Sequence, residues 1–319
     1  MSISFKEDHI SQIPALLMLE KLDYTYLTPD EALALRGGNP ANVLLESVLR
    51  KQLAAINVVQ VSSTRTTVFS EQNITAGIEA LRNIPMDEGF MEASQTIYDL
   101  LTSGKTLEQI VDGDRKSFVM QYIDWKNPRN NVFHVTEEFA VSRTGMTETY
   151  RPDIVLFVNG IPLCVIECKR PDVKDSIEQA ISQHLRNQKA DGIRSLYLYS
   201  TLLLAINRQE GSYATTATPE KFWARWREQF TNREEEVRYR QELERVVNEP
   251  LLDDKIFGER FGYVRRNFEE LYRQPVIPSV QDEYLYNLCR PERLLQLMYG
   301  FTLYDDGIKK VARYQQYFA

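Results

Sequence analysis

Residues 151–171 read RPDIVLFVNGIPLCVIECKRP, and the fold turns on how this stretch folds back on itself. Two apolar β-rich segments, 152–158 (PDIVLFV) and 162–169 (PLCVIECK), are joined around Asn159-Gly160. Asn-Gly is the pair that most readily takes the positive φ angles of a two-residue hairpin loop, so the stretch reads as strand, turn, strand. Asp153 opens the first strand, while Glu167 and Lys169 end the second, directly after the apolar run Leu163 to Ile166. Lys169 follows Glu167 by two residues, so both side chains project from the same side of the strand. A plain two-residue loop would pair Val158 with Ile161 and therefore Asp153 with Ile166. Glu167 would then face away from Asp153, because a slip of one residue reverses every side chain. For the two acids to meet, the hairpin needs an effective three-residue turn or a glycine bulge, and a bulge at Gly160 is the expectation.

Outward from the hairpin, the segments 117–125 (SFVMQYIDW) and 131–141 (NVFHVTEEFAV) are β-branched and aromatic. Asn127-Pro128-Arg129-Asn130 separates them, which predicts another strand, turn and strand. Earlier, 41–57 carries Val43, Leu44, Val48, Leu49, Leu53 and Ile56 at helical spacing, with a start expected after Asn39-Pro40. Further helices are expected near 74–83 and 90–101. After the hairpin, 174–188 returns to helical period with Ile177, Ala180, Ile181 and Leu185 on one face, and 195–206 reads as a buried strand. The order is an α/β one, αβββαβ, with a mixed central sheet flanked by helices over residues 1–218. From Pro219 the chain becomes mainly helical. REEEVRYRQELERVVNE (233–249) has the mixed charge of a solvated helix face, and 272–280, with two prolines, resembles a linker.

With 319 residues the chain can bury one substantial core and a smaller second unit. No apolar run approaches the ~18–20 residues that cross a bilayer; the longest candidate, Ser195 to Ile206, is too short. The N-terminal region, with Lys6, Glu7 and Asp8, lacks the charged-then-apolar pattern of a signal peptide, and a cytoplasmic location is the expectation. Cys164, Cys168 and Cys289 give an odd count without CxxC spacing, which argues against a zinc site or a disulfide framework. His9, His134 and His184 are scattered and suggest neither a zinc site nor a His-based triad. The net charge of −7 sets a condition: if the chain works on DNA, it needs a locally basic groove or partners that hold the nucleic acid.

Phosphodiester hydrolysis at neutral pH needs stabilisation of developing charge, an activated water and a cation close by. Magnesium takes oxygen ligands and uses only one or two protein carboxylates, which Asp153 and Glu167 supply if the hairpin brings them to one face. Lys169 is then placed to orient or help deprotonate the attacking water. An Asp followed at a distance by Glu-x-Lys arises by chance in many proteins. Here the charges end a core strand abruptly, and the hairpin gives them a reason to meet.

Pro152-Asp153 with Glu167-Cys168-Lys169 resembles the nuclease motif of the restriction subunit of type I restriction–modification enzymes, within the PD-(D/E)xK nuclease superfamily. Tyr122-Ile123-Asp124-Trp125, followed by Asn127-Pro128 and Asn131, resembles the segment ahead of that motif. The resemblance implies a restriction-endonuclease-like core that cuts double-stranded DNA. It also implies Mg2+, replaceable by Mn2+, held by Asp153, Glu167 and the Cys168 carbonyl, with Lys169 catalytic and Glu46 approaching the metal. Gln183 matches the glutamine of a Gln-x-x-x-Tyr motif, implying a catalytic role, but Asn187 stands at the tyrosine position; the bland alternative is that Gln183 lines the polar side of an amphipathic helix. The run Ile308 to Ala319 (IKKVARYQQYFA) resembles the segment just ahead of an ATP-driven motor, where Gln316 matches a glutamine that contacts adenine. No GxxxxGK[ST] phosphate loop occurs, so ATP and DNA translocation would belong to a longer protein of which this is an N-terminal piece. The implied partners are the methyltransferase and specificity subunits of the same system. Two alternatives stand beside this: a stand-alone repair or exonuclease module, and a docking module that anchors the motor subunit through a vestigial site.

Overall fold

A computed structural model describes residues 11–62, 64–250 and 255–319; Lys6, Glu7, Asp8 and His9 lie outside these. Six strands, β1 (Thr25–Leu27), β2 (Phe133–Glu137), β3 (Ile154–Val158), β4 (Ile161–Cys168), β5 (Leu202–Ile206) and β6 (Gly211–Ala214), lie in that order across one sheet. The β1–β2 and β4–β5 pairs are parallel and the other three antiparallel, so the sheet is mixed. Every residue of β3, β4 and β5 is buried. Strands covered on both faces lose the polar alternation of a half-exposed sheet, which explains the continuous apolar runs.

The hairpin between β3 and β4 turns through Asn159 and Gly160, with φ of 52° and 84°. It is a plain two-residue loop: Val158 faces Ile161 and Phe157 faces Pro162. The register then shifts. Leu163 has no partner, Cys164 faces Leu156, Val165 faces Val155 and Ile166 faces Ile154. Continued by one residue, this register sets Glu167 across from Asp153. The bulge therefore sits at Leu163, not at Gly160 as the sequence suggested, yet it has the consequence the site requires. Pro162 explains the place. It has no N–H to give the ladder, so an irregularity there forfeits little. The Leu163 carbonyl accepts instead from the Thr201 amide at 2.9 Å.

Gly160 serves a different purpose. Its carbonyl accepts from the Leu45 amide at 2.9 Å, and a Cβ at Gly160 would lie 2.6 Å from the Leu45 carbonyl oxygen. The turn thus docks against the start of a helix, Glu46–Ile56. That helix begins later than Asn39-Pro40 implied, because the Asn42 side chain accepts from the Leu44 amide at 3.1 Å and holds the chain in a turn.

Three other expectations need correction. Segment 117–125 does not form a hairpin with 131–141. Asp114–Met120 pairs instead with Lys105–Val111, around Asp112-Gly113, as a separate two-stranded ribbon. The residues between it and β2 are fixed by side chains: Asp124 accepts from the amides of Lys126 and Asn127, and Asn131 donates back to the Asp124 carbonyl. Segment 195–206 is a strand only in its second half, since Arg194–Tyr197 is a helical turn. The C-terminal region is mainly helical, through Arg233–Val247, Val280–Cys289 and Pro291–Gly300, but it closes on an unforeseen hairpin, Thr302–Asp305 with Ile308–Val311. Val280–Cys289 is almost entirely buried and packs on the first helix, Ile13–Lys21. Beside that contact, Ser11 and Gln281 exchange two buried hydrogen bonds of 2.7 and 2.8 Å.

Helix Ser176–Asn187 connects the parallel strands β4 and β5 and packs on both. Its buried residues Ile177, Ala180, Ile181 and His184 follow the i, i+3, i+4, i+7 spacing of a single face. Among the described residues, no helix is long and apolar enough to cross a membrane.

Candidate active site

The open end of the hairpin gathers Asp153, Glu167, Cys168 and Lys169. Asp153 Oδ2 accepts from the Cys168 amide at 2.7 Å and lies 3.4 Å from Lys169 Nζ. Lys169 Nζ also donates to the Cys168 carbonyl at 3.0 Å. The Lys169 amide continues the parallel pairing with β5 by donating to the Ile206 carbonyl at 2.9 Å. The Asp153 carbonyl is clamped as well, by Gln12 Nε2 at 3.0 Å and the Glu138 amide at 3.1 Å. The backbone is thus pinned on both sides of the charged groups.

Glu167 is fully buried. Its Oε1 accepts one long bond of 3.4 Å from Asn187 Nδ2, and its Oε2 has no hydrogen-bond partner. Burial pushes the Glu167 carboxyl well above the usual carboxylate range, and the neighbouring Asp153 carboxylate adds to this; Lys169 and Arg186 oppose it. A buried carboxylate with one bare oxygen is costly unless something cationic meets it. The nearby donors are Asp153, Glu167 and the Cys168 carbonyl, all hard oxygens. Among the described residues, no three His, Cys, Asp or Glu side chains cluster as a metal cage. Two carboxylates and a carbonyl are the sparse oxygen set that suits magnesium, which keeps several waters.

The other residues singled out in the sequence fare differently. Glu46 is not brought to the pair. It starts the helix that docks on the turn, and five residues of strand separate that turn from Asp153, roughly 17 Å at ~3.4 Å per residue. Its Oε1 is held there at 2.8 Å by both Arg82 and Asn42. Gln183 is half-buried on the helix after the lysine, with no hydrogen bond to Asp153, Glu167 or Lys169 among the described residues. Gln316 caps its own short helix, accepting from the Arg313 amide at 2.8 Å. It lines a cavity of about 670 Å³ with Tyr213, Phe301, Lys310 and Arg313, which shares no lining residue with the Asp153 site. Cys164, Cys168 and Cys289 are buried, and none is in a disulfide.

Sequence inspection met Asn187 only as a departure from a motif and His184 only as a scattered histidine, and missed that they lie with Tyr197 behind Glu167. Asn187, His184 and Tyr197 are all buried there. His184 lies 3.0 Å from the Tyr197 hydroxyl and 3.0 Å from the Leu204 carbonyl, and burial lowers its pKa to about 4. The available signal was its place seven residues after Ile177 on the apolar face of its helix. Glu138 was missed too. It takes a positive φ of 48°, and burial together with Asp153 raises its pKa.

Comparison with known proteins identifies the family. Residues 4–222 match the family described as the type I restriction enzyme R protein N terminus. The chain is 26% identical over 233 residues to the type I restriction enzyme HindI endonuclease subunit of Haemophilus influenzae, covering 70% of this chain and 18% of that one. It is 25% identical over 227 residues to a Methanocaldococcus jannaschii protein named for the MjaIXP type I restriction enzyme endonuclease subunit, covering 69% of this chain and 20% of that one. The match thus spans a fifth or less of these relatives' length. Since the family match takes in the whole central sheet and every residue of the Asp153 site, this chain belongs to the N-terminal family of type I restriction enzyme R proteins.

Proposed function

We propose that this chain carries a magnesium-dependent endonuclease centre of the PD-(D/E)xK kind, on a restriction-endonuclease-like core, that hydrolyses phosphodiester bonds in double-stranded DNA. One observation carries the proposal: the bulge at Leu163 turns Glu167 to the side of Asp153, where Lys169 already bridges Asp153 and the Cys168 carbonyl. Asp153, Glu167 and the Cys168 carbonyl would hold the ion, and Mn2+ would suit the same oxygens. When bound, the metal supplies Lewis-acid stabilisation of phosphoryl charge and makes water a better nucleophile. Lys169, held by Asp153 and the Cys168 carbonyl, offers a proton-bearing cation that orients the attacking water and faces the charge developing on phosphate. Gln183, on the adjacent helix, is a candidate contact to the scissile strand rather than to the metal.

The acidic net charge is not offset around the motif. Arg151, Lys169, Arg170, Lys174 and Arg186 are matched between 151 and 186 by Asp153, Glu167, Asp172, Asp175 and Glu178, with Arg170 and Lys174 paired to Asp172 and Asp175, so the basic groove for DNA would come from other parts of a longer protein or from partners. In a full-length protein, Gln316 and its cavity would receive the adenine of ATP, and a motor with the methyltransferase and specificity subunits would deliver the DNA.

Plasmid nicking in Mg2+ or Mn2+ tests the centre, with Lys169→Ala as the matched control. Nicking by the wild type that disappears in the variant supports the proposal. Equal nicking by both would sink it. If neither cuts but Mn2+ binds and Asp153→Ala abolishes that binding, the centre is assembled and depends on the rest of the longer protein to engage DNA.

A further inference from the structure

We propose that Gln12 is a positioning residue for Asp153, set in place by Gln281 of the C-terminal helical region through Ser11, an inference that rests on Asp153 being a metal ligand. Asp153 stands at a weak point of the sheet. It precedes the first residue of β3, and Pro152 before it has no N–H, so the ladder loses a donor where a strand end already tends to fray. Gln12 Nε2 makes up for this by donating to the Asp153 carbonyl at 3.0 Å, beside the Glu138 amide at 3.1 Å. A carbonyl oxygen has two lone pairs, and here both are used. Asp153 is thus held at its carbonyl by two donors and at Oδ2 by the Cys168 amide, which together set the direction of the carboxylate.

Gln12 is itself placed by its neighbours. Ser11 and Gln281 are both fully buried, and Ser11 Oγ donates to Gln281 Oε1 at 2.7 Å while Gln281 Nε2 donates to the Ser11 carbonyl at 2.8 Å. That carbonyl belongs to the planar peptide group joining Ser11 to Gln12, so the second bond fixes the plane from which the Gln12 side chain departs. Gln281 is the second residue of helix Val280–Cys289, and the helix is anchored beside the other arm of the site. The Val280 amide donates to the Arg208 carbonyl at 3.1 Å, two residues beyond Ile206, whose carbonyl receives the Lys169 amide. Tyr284, three residues after Gln281, donates its hydroxyl to the Gly211 carbonyl of β6 at 2.5 Å, and a Cβ at Gly211 would lie 2.8 Å from the Tyr284 ring. A helix outside the family-matched residues 4–222 therefore touches both the loop after β5 and the residue next to the clamp on Asp153.

Gln12→Met and Gln281→Met keep the length of the side chain and remove its amide. Mn2+ titration of the full chain, followed by electron paramagnetic resonance, tests them beside thermal unfolding of the metal-free proteins. Wild type binds Mn2+ and Asp153→Ala does not. Gln12→Met binds roughly tenfold more weakly with an altered line shape, the size seen when a group that orients a metal ligand is lost. Gln281→Met moves the same way by less, and the double variant binds no more weakly than Gln12→Met, because both act through one contact. A merely structural role would lower the unfolding temperature and leave affinity and line shape as in the wild type. Wild-type affinity and line shape in Gln12→Met, with binding abolished in Asp153→Ala, overturns the proposal and leaves the metal site standing. Additive losses in the double variant overturn the link through Ser11. Absence of binding in the wild type overturns the metal reading together with the proposal. If Gln281→Met does not fold, Ser11→Ala, which removes only the hydroxyl bond, takes its place in the cycle.

Discussion

The two ends of one hairpin treat buried polar groups in opposite ways. At the turn, Asn159 is fully buried and fully satisfied: its Oδ1 accepts from the Val132 amide at 2.9 Å, and its Nδ2 donates to the Tyr122 carbonyl at 3.0 Å and Asn131 Oδ1 at 2.7 Å. At the open end, Glu167 is equally buried, yet one oxygen is bare and the other has a single long bond. The same two strands therefore hold a place where every hydrogen bond serves the fold and a place where bonding capacity is kept in reserve. A native structure rarely leaves such capacity unused in its core, and where it does, a ligand is the first explanation to test.

The contrast can be broken at either end. The largest effect is expected at Lys169. Lys169→Ala should lower nicking by roughly 10²–10³-fold, the size typical of losing one preorganised cationic or donor group, while circular dichroism and cooperative unfolding stay as in the wild type. Loss of folding instead would make Lys169 a structural residue and the two ends alike. At the turn, Asn159→Ala should cost about 3 kcal/mol in urea unfolding, because it orphans the Val132 amide and the Tyr122 carbonyl. Mn2+ affinity in the folded fraction should be unchanged, and a fall in it would show that the ends are not independent.

Glu167→Gln should act in the opposite sense. In metal-free protein near neutral pH it should stabilise the fold by roughly 1–3 kcal/mol, since a neutral amide escapes the desolvation of a half-satisfied charge. The pH sign follows. Burial and Asp153 raise the folded pKa of Glu167, so the folded state holds its proton more tightly than the unfolded chain. Its contribution is present below the unfolded carboxylate value of about 4.3 and is lost as pH rises through the raised folded value. The metal-free Glu167→Gln variant should lack that component, and unfolding midpoints from pH 4 to 8 that run parallel to wild type would refute it. The smallest effect is expected at Glu46. Its partly exposed pair with Arg82 is of a kind worth up to ~1 kcal/mol, and Glu46→Ala should leave Mn2+ binding untouched.

How far the sequence could be read follows the range of the forces involved. The hairpin was legible because Asn159-Gly160 and its apolar flanks are local, and so was the face of Ser176–Asn187, whose period is written in Ile177, Ala180 and Ile181. The requirement for an extra residue between the turn and Glu167 was also legible. Its place was overlooked although Pro162 marks it, because the bond from Thr201 that takes up the Leu163 carbonyl forms only once β5 is docked. Glu46 misled because a match in sequence says nothing about which end of the hairpin its helix meets. Asn187, His184 and Tyr197 were invisible as a group, because their bonds join two helices and β5. The ribbon formed by Lys105–Val111 and Asp114–Met120 carries Ile110 and Val119 exposed, so its pattern lacks the apolar face that marks a packed strand.

The unpaired Leu163 gives the hairpin two registers joined at one point. In a continuous ladder, turn geometry and the facing of distant side chains are a single variable, and any change in the loop is transmitted along both strands. Here the pairing from Val158 to Pro162 answers to the loop and the helix it docks on, while the pairing from Cys164 onward answers to the acids. Leu163 works as a mechanical decoupler: adjustments of the turn against Leu45 stop at the bulge, and the alignment of Asp153 with Glu167 is set independently of them.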